Sequence, residues 1–458
     1  MLIQILINLI IILICSFIGF SCGENRIKNP KPNIVLIIGD DHGYPYFGFM
    51  GADYVKTPNM DELASSGTVF TNGYVPDNHC RPSLGTLMTG ILPIDYENKV
   101  SLMHTERNIV DRKEKREFDH HAMKYFETLP KLLRQKDYVS FQGGKWWEFN
   151  YQNGGFDFGM TTGWTSEERN NVGAWFKKFM GGDGLNLGRL TMEPVYEFID
   201  KNKDRPFFIW YAPELPHYPF DAPDKYYNLY KDTKMTESAK RYYANCTWFD
   251  DGVGELKRYL QEIDEFENTL FIYVNDNGWE QRPDQEFWND PMRSHNGGDK
   301  GKSSIFDQSF RTPIIFSWEG KISRGKRLSQ LMHSADIPAT ILDYLDLEIP
   351  VDYFGKSYKP AIDGKYFTGR KEIIGNITTT RSFKDMMGEP TEGYWLRNEN
   401  WFFQWNVTKS EKKLFNMNTD SNNDYDLAQF NQNLVQLYTE NIQQWKNNRE
   451  IKDHSRNK

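Results

Sequence analysis

Asn33-Ile-Val-Leu-Ile-Ile-Gly-Asp-Asp41 decides how the rest of the chain reads. Its apolar run is unbroken, rich in β-branched residues, and ends in a glycine and two carboxylates. A run of this kind reads as a strand buried on both faces, the habit of parallel sheets. Residues 138–141, 207–211, 270–274 and 314–318 repeat the form. Helical patterns lie between them, over 59–67, 128–136, 193–201, 235–263 and 335–345. Short apolar runs separated by helices predict an α/β fold, a mostly parallel central sheet flanked by helices. After about residue 350 the pattern changes. Aromatic-rich segments over 393–405 and 413–417 predict a smaller C-terminal α+β subdomain with an antiparallel sheet, and 431–446 reads as a last helix. The expected division is 33–350 for the α/β domain and 351–458 for the C-terminal subdomain.

The chemistry lies in the residues just after each run. The first leads to Asp40 and Asp41, and 270–274 leads to Asn275, Asp276 and Asn277. Residues 207–211 lead through Ala-Pro-Glu-Leu-Pro to His217, and 138–144 lead to Lys145. Ligands of open α/β sheets bind at the carboxyl ends of the strands. If these four strands are neighbours, two acidic pairs, a histidine and a lysine converge on one edge. An all-oxygen donor set suits a hard cation, Ca²⁺ or Mg²⁺, rather than zinc or copper.

A third element is Asn78-His-Cys-Arg-Pro-Ser-Leu-Gly-Thr-Leu-Met-Thr-Gly90. Pro82 suits a first helical turn and Gly90 can end the helix. Cys80 then sits at a helix N-terminus, where the dipole favours an anion and lowers a thiol pKa. Of the other cysteines, Cys246 lies in an aromatic helical pattern and reads as core, while Cys15 and Cys22 fall near the N-terminus. Four cysteines without a CxxC exclude a disulfide scaffold, a zinc ribbon and a thioredoxin-type site.

The ordered set of motifs resembles the formylglycine-dependent sulfatases of the alkaline phosphatase superfamily. It comprises the stretch 32–43, Thr57-Pro-Asn-Met-Asp-Glu-Leu-Ala, Cys80-Arg-Pro-Ser with Thr89-Gly90, and Gly144-Lys-Trp. It continues with Tyr211-Ala-Pro through Pro216-His217, Asp276-Asn-Gly, Lys302-Ser-Ser-Ile-Phe-Asp-Gln-Ser-Phe-Arg-Thr-Pro, and Lys413-Leu-Phe-Asn-Met-Asn-Thr-Asp. The resemblance implies that Cys80 becomes formylglycine through a formylglycine-generating or anaerobic maturation enzyme. It implies Ca²⁺, or Mg²⁺, held by Asp40, Asp41, Asp276, Asn277 and the modified Cys80. Lys145 and Lys302 would bond to formylglycine and sulfate. His217 is the first choice for the acid that protonates the leaving oxygen, Lys302 the second, and Asp276 is a candidate base. Arg81, Trp147 and His295 are candidates for substrate contact.

Two positions depart from the family pattern: Leu84 stands where an arginine is usual, and Trp147 where a histidine often follows the lysine. A bacterial subset with Cys-Arg-Pro-Ser-Leu and Gly-Lys-Trp-Trp is similar. The expected activity is a sulfatase acting on sulfated carbohydrate. A phosphate or phosphonate ester hydrolase and a non-catalytic sulfated-glycan binder are the alternatives, with an unmodified thiol hydrolase a distant fourth. Trp146-Trp147 reads as core or as a sugar platform. His79 and His104 are minor substrate candidates, and His120 and His121 read as a solvated face.

Composition bounds this reading. The chain has 458 residues, 15% aromatic and 26% charged, which excludes a disordered chain. Its net charge of −8 argues against sequence-independent nucleic-acid binding. Residues 1–21 carry no charge and read as a signal peptide, of lipoprotein or ordinary type, or as a single uncleaved membrane anchor. Gly19 and Ser21 before Cys22-Gly23 resemble a lipoprotein cleavage site, with 22–32 as a tether. The expected destination is export, as a periplasmic or outer-membrane or cell-surface lipoprotein of a bacterium with a lipid anchor.

Overall fold

The structure, a computed structural model, describes residues 31–170, 177–279, 300–378 and 392–449. The predicted leader, most of the tether and His295 lie outside the described residues. The first sheet has eight strands: β1 (Asn33–Gly39), β2 (Thr68–Tyr74), β3 (Val139–Gly144), β4 (Phe158–Gly159), β5 (Phe207–Ala212), β6 (Thr269–Asn275), β7 (Arg311–Ser317) and β8 (Lys326–His333). Their order is β4-β3-β5-β1-β6-β7-β2-β8. All neighbours are parallel except β7, which runs antiparallel to β6 and β2. The second sheet is antiparallel, ordered β12-β11-β10-β9, from β9 (Glu372–Thr378), β10 (Glu392–Asn398), β11 (Trp401–Asn406) and β12 (Glu411–Asn416). The predicted fold class is the observed one.

β1 shows why its sequence is apolar throughout. Ile34, Leu36 and Ile38 enter one core and Val35 and Ile37 the other, all at most 1% exposed. Alternate side chains of a strand point to opposite faces, so a strand covered on both sides has no polar position. The helix Glu237–Glu262, capped by the Thr236 hydroxyl accepting from Ala239 N, covers the second face with Phe249, Val253, Leu256 and Leu260. Its first half puts Tyr242, Tyr243 and Cys246 into an aromatic cluster with Tyr46 and Trp279. Cys246 is core, as expected.

Several strands differ from the sequence reading. β2, β4, β8 and β9 were not anticipated. β2 carries Thr71 and Asn72 among its apolar residues. β8 is an edge strand whose first half alternates between partly buried and exposed. The run read as 314–318 begins at Arg311 and lies antiparallel between two parallel neighbours.

Candidate active site

β3, β5, β1 and β6 are consecutive in the sheet, so their carboxyl ends form one continuous edge. Gly39 pairs with Asn275 at the last register position of β1 and β6. Beyond it the two chain ends lace together: Asp276 N donates to Gly39 O (3.0 Å) and Asp41 N donates to Asp276 Oδ1 (3.0 Å). Asp41 takes a left-handed backbone, φ 60°, which aspartate tolerates. At the end of β3, Gly144 has φ 93°, and a Cβ there would fall 1.9 Å from Ala212 O. Only glycine fits that crossing, and it turns Lys145 inward over the edge. Helix Cys80–Thr89 starts at the same place and ends at left-handed Gly90.

The side chains converge. Lys145 Nζ is 2.5 Å from Asp40 Oδ1, 4.0 Å from Asp276 Oδ2 and 3.1 Å from Cys80 Sγ. Asn277 Nδ2 is 3.4 Å from the same sulfur. Lys302 Nζ meets Asp41 Oδ2 at 2.7 Å, and His217 Nε2 lies 3.5 Å from that oxygen. His217 Nδ1 donates to Tyr218 O (2.5 Å), so Nε2 is the nitrogen that faces Asp41 and the site.

Electrostatics follow from this packing. Burial alone would raise the Asp41 pKa, but Lys302, His217 and Lys145 outweigh it and hold the carboxyl down at about 2. Asp276 goes the other way, to about 7, through burial and the charge of Asp40. Burial works against the charge on Lys145, yet Asp40 keeps its ammonium ionised well above the usual lysine range. The Cys80 thiol is pushed up by burial and then by Asp276. That corrects the expectation from the helix N-terminus: at 4% exposure beside carboxylates, desolvation wins over the dipole. An unmodified thiolate nucleophile is disfavoured here.

The donor set fits a hard cation. Ligand atoms of Asp40, Asp41, Cys80 and Asp276 all lie within 4.8 Å of one another. Asp40 Oδ2, Asp276 Oδ2 and Asn277 Oδ1 are buried and accept no hydrogen bond. Buried oxygens without donors are costly in protein alone and are what a divalent cation takes as ligands.

Residues 32–347 match the sulfatase family model. The chain belongs to the sulfatase family. It is thereby an enzyme, a sulfuric ester hydrolase. This sulfatase is 27% identical over 399 residues to the N-acetylgalactosamine-6-sulfatase of Canis lupus familiaris, covering 81% of this chain and 73% of that one. It is 24% identical over 462 residues to an arylsulfatase of Clostridium perfringens, covering 85% and 89%. In fold it is similar to BT4656, solved in complex with its substrate D-glucosamine-2-N,6-O-disulfate. The TM-score is 0.68 at 18% identity, over 92% of this chain and all of that one.

Other residues of the sulfatase fall differently from their sequence reading. The Arg81 guanidinium is gripped by Glu148, Nε to Oε1 at 2.9 Å and Nη2 to Oε2 at 3.1 Å, and is about one-third exposed. Leu84 is buried in the apolar cluster on the Cys80 side of the sheet. Trp147 is buried too, edge-on to Phe179, with Lys145 Nζ 5.6 Å from its ring centre. Trp146 packs edge-on to Trp210 in the core. His79 rests on Asp77 and His104 on Asp119. His120 was expected on a solvated face, but it is buried edge-on to Trp164 and Phe179, while His121 stays partly exposed.

Sequence reasoning missed the groups that hold His217. Arg189 Nη2 donates to His217 O (2.8 Å) and its Nε donates to Glu214 O (2.9 Å). Asn245 Nδ2 donates to Pro219 O (3.0 Å) and His217 O (3.3 Å). These side chains act on backbone carbonyls of another element, and neither lies in a recognisable motif. Glu148 and Glu214 were visible only as neighbours of Lys145 and His217. The Glu214 carboxyl is raised by burial and by Asp40, against the lowering effect of His217 and Lys145.

Proposed function

We propose that this sulfatase removes sulfate from a sulfated carbohydrate, with Cys80 converted to formylglycine by a maturation enzyme and Ca²⁺ held by Asp40, Asp41, Asp276 and Asn277. The observation that carries the reading is Cys80 at a helix start, enclosed by Lys145, Asn277 and the carboxylate cluster. The name of the dog relative and the substrate in the BT4656 complex support a sulfated sugar as the substrate class. When present, the hydrated aldehyde supplies a nucleophilic hydroxyl and the cation supplies Lewis-acid polarisation.

The remaining work falls to the chain's own side chains. Lys145 holds a fixed positive charge against the nucleophile's position. Lys302, braced on Asp41, donates to sulfate oxygens as charge builds on them. His217 Nε2 delivers a proton to the departing alcohol oxygen, with its ring oriented by Tyr218 O. Asp276 takes the proton from the attacking hydroxyl. Arg81, next to Cys80 and partly exposed, meets the sugar bearing the sulfate. Leu84 marks the Cys-Arg-Pro-Ser-Leu variant. Export follows from the charge-free leader, with Cys22 as the lipidated residue.

The test is a desulfation screen over defined sulfated saccharides, including 6-O-sulfated hexosamines, with a maturation enzyme co-expressed and calcium added. Sulfate release from at least one saccharide, exceeding phosphate release from the matching phosphate esters, is expected. Inertness on all of them with Cys80 shown converted would sink the carbohydrate-sulfatase reading. Faster phosphate release would replace it with the phosphoester reading.

Two further outcomes are expected. His217→Ala lowers turnover on a sugar sulfate by about 10²–10⁴-fold, the range for loss of a general acid. It costs far less on nitrophenyl sulfate, whose leaving group needs no proton. Equal losses on the two substrates would reassign the acid. Calcium at 100 times its Kd stabilises the folded protein by about 2.7 kcal/mol. Thermal unfolding with calcium and with chelator reads this, and the shift vanishes in Asp276→Ala if that residue is a ligand.

A further inference from the structure

Lys302 lies in a loop with no secondary structure of its own, yet its ammonium meets Asp41 Oδ2 at 2.7 Å. Lys302 N itself donates to Trp279 O (2.8 Å), and the flanks of the loop are held by a turn far along the chain, just after β12. Lys300 Nζ donates to the carbonyls of Asn422 (2.6 Å) and Asn423 (3.0 Å) and pairs with Asp424 Oδ1 (2.5 Å). At the other end of the segment, Asp307 N donates to Asn423 Oδ1 (3.1 Å) and Gln308 Nε2 donates to Ser421 O (3.2 Å). Both ends of 300–308 are therefore pinned to one turn.

The turn is itself rigid. The Asp420 carboxylate accepts from Asp424 N and Tyr425 N, each at 2.9 Å. Asn423 is buried and sits at φ 59°, a left-handed position that asparagine tolerates better than most residues. On the opposite side, Asn78 completes the grip: its Nδ2 donates to Ser304 O (2.7 Å) and its carbonyl accepts from Ser303 N (3.3 Å). Lysine has a flexible four-carbon stem, so the place of its ammonium depends on how firmly its backbone is held.

We propose that the turn Asp420–Asp424 is a positioning element for Lys302, acting through Lys300 and Asn423. The proposal rests on the reading of Lys302 as a sulfate-binding lysine. Lys300→Met keeps the stem and removes the three polar contacts. Asn423→Gly keeps the left-handed backbone and removes the acceptor for Asp307 N. Each should lower kcat on an aryl sulfate about 10-fold, the usual cost of losing an outer partner of an active-site group. Unfolding should remain a single cooperative transition, and Lys300→Arg should recover most of the activity.

The deciding measurement repeats Lys300→Met in a Lys302→Ala background. There it should cost less than about 2-fold, because the group it positions is gone. The same loss in both backgrounds, or no loss in either, overturns the positioning role while leaving Lys302 intact as a sulfate ligand. A Lys302→Ala enzyme with full activity removes that ligand reading and overturns both.

Discussion

Cys80→Ala is expected to abolish sulfate release, by at least about 10⁴-fold, on the scale of losses when a covalent nucleophile is removed. The substitution removes the proposed nucleophile and little else. Cys80 is 4% exposed and surrounded by Lys145, Asn277, Asp40 and Asp41, so an alanine leaves a small gap in a polar wall. Folding should survive, because the strand ends are laced by Asp41 N to Asp276 Oδ1 and Asp276 N to Gly39 O, independently of the sulfur. Peptide mass spectrometry of the wild-type protein should show residue 80 without its sulfur. An active alanine variant would remove this mechanism outright. An active wild type whose Cys80 is entirely thiol would return the question to the unmodified residue, against the raised thiol pKa.

Lys145→Met is the second large effect, and it falls on stability and activity together. The ammonium is 1% exposed and bonds Asp40, with Asp276 4.0 Å away. Removing it leaves buried carboxylates facing one another, with Lys302 and the His217 imidazole, both on Asp41, as the remaining cationic groups close by among the described side chains. Breaking one partner of a buried ion pair costs about 3–5 kcal/mol. Turnover should fall about 10²–10³-fold, the scale for one preorganised donor to developing negative charge. The two effects separate with metal: calcium should recover part of the stability, because a divalent cation also neutralises the cluster, but not the turnover. Melting curves and aryl sulfate kinetics, each with calcium and with chelator, read this. A Lys145→Met protein that melts like wild type without calcium would show that the cluster does not need the lysine's charge.

Much of this site is legible in sequence for a simple reason. Asp40, Asp41, Asp276, Asn277 and Lys145 each come directly after an apolar run, and a central strand announces itself by such a run. The placement of four of those runs side by side needed only that they were parallel and central. Cys80 was legible from Pro82 and Gly90, which bracket its helix. What was hidden depends on packing across the chain. β8 has the polar alternation of an edge, and β7 reverses direction without any local mark. Arg189 and Asn245 work on the backbone of the His217 segment, a role that leaves no pattern around either residue. His120 comes after a charged stretch, and only the approach of Trp164 and Phe179 buries it. The thiol at position 80 shows the same limit: a helix N-terminus is visible locally, but the desolvation that overrides it comes from β1, β3 and β6.

The enclosure of Cys80 also sets a schedule. Asn277, one of its walls, is separated from it by 197 residues. A ribosome adding about 5–20 residues per second needs about 10–40 s to cover that distance. Until β6, made only at the end of that interval, is complete, the edge cannot close, and the thiol stands open on a nascent chain. Once β6 slots in beside β1, the sulfur is sealed among side chains and out of reach of any macromolecule. On the proposed maturation, a protein catalyst that oxidises Cys80 races sheet closure, and chains that close first keep an unconverted thiol. The fraction of active enzyme in a preparation becomes a record of that race, and slowing translation between residues 80 and 277 should raise it.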